Sequence, residues 1–465
     1  MSLPAGQTTS TGLRTLIPLL TTEPLLTNEM DGSQVARLAQ DWAWDESRTK
    51  LQLKLRRDVL FHDGTPLTPK VVAQALRARI AAHSVSSFAS VSSVSVTGED
   101  AVTLQLTQPD SFLLPDLALV SIAMPGKSDI GTGPFKLASQ SGQQTLLRRF
   151  DQFYRGRPAI DAVEIDTYPT QRKAWASMMR GSLDMLYEVS RDAVEFVEAE
   201  SAVNTYKFPR AYYIPLIFNV RHPVLKNAQV RRAINEALDK DALVQEGLRG
   251  RGRPAEGPIW PDHWAYIASA QSTTFNPDAA RLRLDAAGYR IPPVTAGQMP
   301  SRFSFTCAVW AEDARFERLA LVLQKQFADI GIDMRLEPLS ATAFDERALS
   351  GRFDALLIEM AGRSLSWVYR FWHSPSGQVV LNSGYQSADS ALERIRRARS
   401  DDEVRRGVVD LMRVFTEDPP AAFLAWQMQS RAVSAQFDVR AEPNRDILSN
   451  VWQWRPVAAP ASVSR

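Results

Sequence analysis

One cysteine, Cys307, in 465 residues excludes an internal disulfide framework and any Cys-x-x-Cys metal or redox pair. Its place in the apolar stretch 303–309 makes it a small buried side chain of a strand. Histidine is nearly as scarce. His62, His83, His222, His263 and His373 are scattered, without the i, i+4 spacing that puts two ligands on one helix face. No apolar run reaches the length of a membrane helix, about 18 residues or more; Leu13–Leu20 is interrupted by Arg14 and Pro18. Excess charge is missing too. With 54 basic and 52 acidic residues the net charge is +2, too small for a global nucleic-acid field. The arginine clusters at 231–232, 251–253 and 394–397 read as solvated helix faces and loops. His-Glu-x-x-His, Gly-x-x-x-x-Gly-Lys-Ser/Thr and Gly-x-Ser-x-Gly are all absent, so no residue cluster supports an enzyme.

What is present is an ordinary globular composition, 45% hydrophobic and 23% charged, on a chain too long for one core. Single cores stop growing near roughly 250–300 residues, so two or more lobes are expected. Strand and helix signals alternate. Residues 50–55 alternate apolar and polar, 91–96 and 101–106 flank a Gly98-Glu99-Asp100 turn, and Thr68-Pro69 is a helix cap with proline at the first position. Further strands are expected at 145–150, 162–168, 184–189, 204–208, 212–220, 332–336 and 353–360. Helices are expected from Thr170 to Gly181 and at 192–200, 230–238, 316–330, 389–399 and 401–417. This alternation predicts α/β layers with largely parallel strands.

Four segments carry more information in their order. They are Phe61-His62-Asp63-Gly64-Thr65-Pro66-Leu67-Thr68, Gly131-Thr132-Gly133-Pro134-Phe135, Gly181-Ser182-Leu183-Asp184-Met185, and Phe218-Asn219 followed by 230–240. Pro134 removes a donor where a phosphate loop needs one, so the second segment is a structural turn. Together, over residues 23–435, they resemble extracellular solute-binding protein family 5, the peptide- and nickel-binding receptors of ABC importers. The resemblance implies a two-lobed type 2 periplasmic-binding-protein fold, with an extra small subdomain on the first lobe at about 38–130. The first lobe would be 1–214 plus 431–465 and the second 215–430. Crossings would fall near 214–219 and 429–432. It also implies a monomer, periplasmic or cell-surface anchored, that hands a small-molecule or peptide solute to ABC permease subunits, with no cofactor, metal or nucleic acid. A sensing domain that reports its solute to a regulator is the alternative.

By the same resemblance the four segments are scaffold, and the ligand contacts lie elsewhere. A tyrosine and a polar residue at the pocket wall correspond to Tyr187 and Glu188. An aromatic pair before the first crossing corresponds to Tyr212-Tyr213; strand alternation lets only one face the cleft, and Tyr213 is the expected one. Peptide-binding members follow the strand matching 353–360 with an aspartate that holds the peptide ammonium. Here Arg363 falls near that place, and a guanidinium repels an ammonium but suits a carboxylate or phosphate. Glu359 is the remaining cation partner, while Trp367 and Trp260 offer flat rings. The family's opening strand is expected to be missing, because the Glu23-Pro24-Leu25-Leu26 match comes early. Met1-Ser2-Leu3 reads as a start from which an export signal has been removed.

Overall fold

The computed structural model describes residues 2–4, 9–82, 86–142, 144–189, 194–268, 273–293, 300–362, 364–374 and 381–457. Ser2–Pro4 forms β1 and Thr9–Thr21 forms α1. The expectation that the opening strand is absent is therefore corrected. Strands β2 (Ala39–Trp44), β3 (Lys50–Leu55), β4 (Val91–Thr97) and β5 (Ala101–Leu106) make a separate antiparallel sheet in the order β2-β3-β5-β4. In β3 the alternation is complete, with Leu51, Leu53 and Leu55 buried and Lys50, Gln52 and Lys54 exposed. Helix α2 (Pro69–Ala81) packs Val72, Ala73 and Leu76 onto this sheet, and Thr68 Oγ1 accepts from Val71 N as its cap. The small subdomain thus owns a core, built around Leu51, Phe61, Val72, Val102 and Leu104.

Apart from three two-stranded pairs (23–24 with 121–122, 26–28 with 34–36, and 437–438 with 455–456), the remaining strands form one continuous sheet. Its members are β6 (Phe135–Ser141), β7 (Gln144–Arg149), β8 (Ala162–Tyr168), β9 (Met185–Leu186), β10 (Val203–Phe218), β11 (Gly252–Pro254), β12 (Phe303–Trp310), β13 (Ile332–Leu339), β14 (Ala355–Leu357), β15 (Met360–Ala361) and β16 (Ala421–Ser434). With β1 the order is β6-β7-β8-β1-β9-β16-β10-β14-β12-β13, and β11 and β15 pair with β16 and β10. Among the described residues, only β1 with β8 and β9, and β12 with β13 and β14, are parallel. The expected largely parallel arrangement is corrected: short hairpins and the long β10–β16 pair make most ladders antiparallel. The strand expected over 353–360 is two pieces, because Ile358 and Glu359 leave the ladder between β14 and β15.

Helices cover this sheet: α3 (Gln171–Met179), α4 (Ala228–Glu236), α5 (Ala314–Asp329), α6 (Leu365–Trp372), α7 (Asp389–Arg397) and α8 (Asp401–Glu417). Helix α5 buries Phe316, Leu319, Leu323 and Phe327 at helical spacing, and Gly331, with φ of +80°, follows it. No helix among the described residues is long and apolar enough to cross a membrane.

Two of the sequence segments interlock. His62 N donates to Gly131 O at 2.9 Å, and the His62 ring meets Gly133 O at 3.0 Å. On the other side, Gly133 N donates to Thr21 O at the end of α1. A Cβ on Gly131 would lie 2.1 Å from that same carbonyl oxygen, so only glycine lets α1 seat on the turn. Arg231 is buried rather than solvated, as is most of Arg396. Arg231 donates to Leu225 O, Pro419 O and Asp418, which fixes α4 to the chain entering β16. Arg396 pairs with the buried Asp110 at 3.0 Å, tying the small subdomain to α7.

Candidate functional site

The longest strands, β10 and β16, run antiparallel from Val203↔Ser434 to Ile217↔Ala421 and carry both halves of the large sheet. Their ladder shifts register between Arg210 and Tyr213, leaving Ala211 and Tyr212 as extra residues on β10. A cleft of about 1030 Å³ opens over this stretch. Its floor is residues 208–212 with Gln429 and Arg431, and its walls include Tyr187, Glu188, Glu29 to Asp31, and 442–446. A second cavity, about 690 Å³, continues from it. The two share Thr15, Leu19, Thr27, Arg37, Ala118, Leu119 and Ser449.

Arg431 organises the floor. It is 3% exposed, forks onto both oxygens of Asp446 at 2.6 Å, and donates to Tyr187 O. Its guanidinium lies 4.3 Å from the Tyr187 ring centroid and 5.0 Å from that of Phe208. Burial disfavours its charge, but the paired bonds to Asp446 more than offset this and raise its pKa. Tyr187 is thereby fixed at the wall, half-buried, with Glu188 exposed beside it.

Tyr213 requires a correction. It is fully buried, accepts from Trp372 Nε1 at 3.0 Å, and packs against Trp426 and Phe423. Burial raises the pKa of its phenol. The neighbouring Tyr212 lines the cleft instead, with the Arg210 guanidinium 4.1 Å from its ring. Alternation does separate the two, but the face covered by α6 is the one that carries Tyr213. Trp260 is also core rather than cleft, 7% exposed and edge-on to Trp426 at 5.3 Å. Glu359 lies between Arg210 at 3.1 Å and Arg315 at 3.2 Å, and accepts from Gln427, so protein cations already hold it. Trp367, half-buried on α6, lines the second cavity under Arg370, whose guanidinium is 5.0 Å from its ring. Arg363 lies outside the described residues.

The second cavity holds a buried carboxyl. Glu23 accepts from Tyr154 OH at 3.1 Å and Thr132 Oγ1 at 3.2 Å. Burial pushes its pKa up to about 7 in spite of these bonds and of Arg155 and Arg37 nearby. Asp116, deeper in the same wall, is pushed up to about 6 by burial and accepts from Ser366 Oγ at 2.6 Å. Among the described residues no three His, Cys, Asp or Glu side chains converge as a metal cage.

Residues 33–378 match the sequence profile of bacterial extracellular solute-binding proteins, family 5, middle region. The chain belongs to that family. Oligopeptide-binding protein AppA of Bacillus subtilis is 24% identical over 438 residues, covering 86% of this chain and 80% of that protein. The probable D,D-dipeptide-binding periplasmic protein DdpA of Escherichia coli is 24% identical over 406 residues, covering 80% and 77%. Among solved structures, NikA from Brucella suis in complex with Fe(III)-EDTA superposes with a TM-score of 0.84 at 20% identity, covering 95% of each chain. Clostridium difficile AppA, a putative peptide-binding protein, gives 0.82 at 17% identity, covering 98% and 99%. The type 2 two-lobed fold with its extra subdomain is that of these family 5 structures, and the family consists of binding proteins rather than enzymes.

Within this family 5 frame, sequence reasoning passed over the cationic side of the cleft. Arg37, Arg155, Arg210 and Arg431 stand in strands or loops without a shared motif, and only the folding of β10, β16 and α1 brings them together. One local signal existed. Arg210 and Arg431 each sit next to a motif aromatic or a crossing strand, where a cation meets ring faces.

Proposed function

We propose that this protein is the extracytoplasmic solute-binding receptor of an ABC importer. It closes two lobes around a peptide-like or other small polar solute and delivers that solute to a membrane permease. The observation that carries this reading is the cleft of about 1030 Å³ lying directly over the β10–β16 crossing. Its aromatic walls and few fixed polar groups are what a captured solute of several residues needs. Closure absorbs its backbone change in few residues, taken here as the crossings near 214–219 and 429–432. The lobes are taken as 1–214 plus 431–465 and 215–430, with Tyr187, Glu188 and Trp367 as wall contacts. The solute supplies the differential stability of the closed form.

The test is mass spectrometry of solutes released from the purified protein, followed by thermal melts with peptides and small chelates. Expected is at least one class that raises the melting temperature by mass action. A flat response across peptides, chelates, sugars and organic acids, with nothing released, would refute a receptor role.

A further inference from the structure

Positive charge gathers at the junction of the two cavities. Arg37 lines both, and Arg155 lines the second. Arg37 Nε donates to Thr27 Oγ1 at 2.8 Å, and Arg56 Nε donates to the Arg37 carbonyl at 2.7 Å. The Arg155 guanidinium lies 4.7 Å from the Trp452 ring centroid. Among the described residues, none of these three arginines has a carboxylate oxygen within the 4.0 Å of an ion pair. The carboxyl nearest to balancing them, Glu23, is engaged by Tyr154 and Thr132. Burial, and then the nearness of Arg37, hold the Arg155 pKa below its ordinary value, so like charges face each other in a partly dry site. Such an arrangement is costly by itself and is relieved by an anion between the two forks. The guanidinium fork matches carboxylate and phosphate oxygens two at a time, which a compact ammonium does not. Trp452 Nε1–H, buried on the same wall, has no acceptor among the described residues.

We propose that Arg37 and Arg155 form an oxyanion subsite of the cleft, which takes a carboxylate or phosphate group of the captured solute. This rests on the receptor reading above and narrows it to solutes with at least one anionic group. The solute's remaining body extends either over the β10–β16 floor or toward the Trp367 ring.

The test is calorimetric titration of the full chain with matched pairs: trialanine, succinate and citrate beside their amides, and phosphoserine beside serine. The expected result is that the tightest binder is anionic and that its amide or dephosphorylated partner binds at least tenfold more weakly. The carboxylate and phosphate arms separate the two sources of the oxyanion. Arg155→Met and Arg37→Met should each lower the affinity of that acid at least tenfold and leave its weak neutral partner unchanged. The acid–amide comparison on the unaltered chain stands even where a variant fails to fold. Equal affinity of acid and amide, or capture of neutral solutes alone, would overturn the subsite and leave the receptor reading intact. Absence of binding by every member of both sets would overturn the subsite and leave the receptor reading to the melts and released-solute analysis described above.

Discussion

Replacing Glu23 with glutamine should stabilise the protein at alkaline pH and do little in acid. Glu23 is 7% exposed, and its folded pKa of about 7 stands against the ordinary 4.5. The folded chain therefore binds this proton more tightly than the unfolded chain does. The resulting stability is fully present below about 4.5 and is lost as pH rises to about 7. At roughly 1.4 kcal/mol for each pH unit between those values, ionised Glu23 costs the fold about 3 kcal/mol at pH 8. Glutamine is neutral throughout, keeps an acceptor for Tyr154 OH, and presents an amide donor to Thr132 Oγ1. Urea unfolding of both proteins from pH 4 to pH 8.5 isolates the effect as a difference, because every other titrating group is common to the two. The variant's advantage should grow from near zero at pH 4 to about 3 kcal/mol at pH 8. A difference independent of pH, or a variant that loses ground as pH rises, would refute the account of Glu23 as a carboxyl made costly by burial.

Three further outcomes follow from the packing. Arg431→Met leaves the half-buried Asp446 without its cation and should cost about 1–3 kcal/mol in a denaturant titration, part of it recovered by adding Asp446→Asn. Tyr213→Phe removes only the bond from Trp372 and should cost about 1 kcal/mol while leaving captured-solute content unchanged; Tyr212→Ala should do the reverse, with mass spectrometry of released solutes as the readout. Gly133→Ala places a methyl 2.6 Å from Thr21 C and 2.7 Å from Leu20 O, and should lower the melting temperature through a loss of about 1–3 kcal/mol.

The parts of the fold that were legible in the sequence are those set by local chemistry. Lys50–Leu55 announces itself by strict alternation, Thr68-Pro69 by cap chemistry, and the α5 stripe from Phe316 to Phe327 by helical spacing. Strand direction was not legible, because alternation of α and β segments says nothing about the long antiparallel return of β16 beside β10. Nor was the facing of Tyr212 and Tyr213. Period-two alternation separates their faces but does not say which face α6 will cover, and Trp372 decides it. Arg231 was misread for a related reason: a charged side chain in an arginine pair looks solvated until the carbonyls of Leu225 and Pro419 fold over it. Glu359 stood out as a free anion in the sequence, and two arginines from distant segments occupy it in the fold.

The β10–β16 pair also bears on how the molecule can be taken apart. Each strand belongs to both halves, so a cut near residue 214 would not release a self-sufficient lobe. It would expose a long row of unpaired backbone donors and acceptors on each fragment, a template for edge-to-edge aggregation. The two fragments should be insoluble when made alone and become soluble when made together. A recombinant exchange of one half between relatives would therefore have to swap residues 203–218 and 421–434 as a unit.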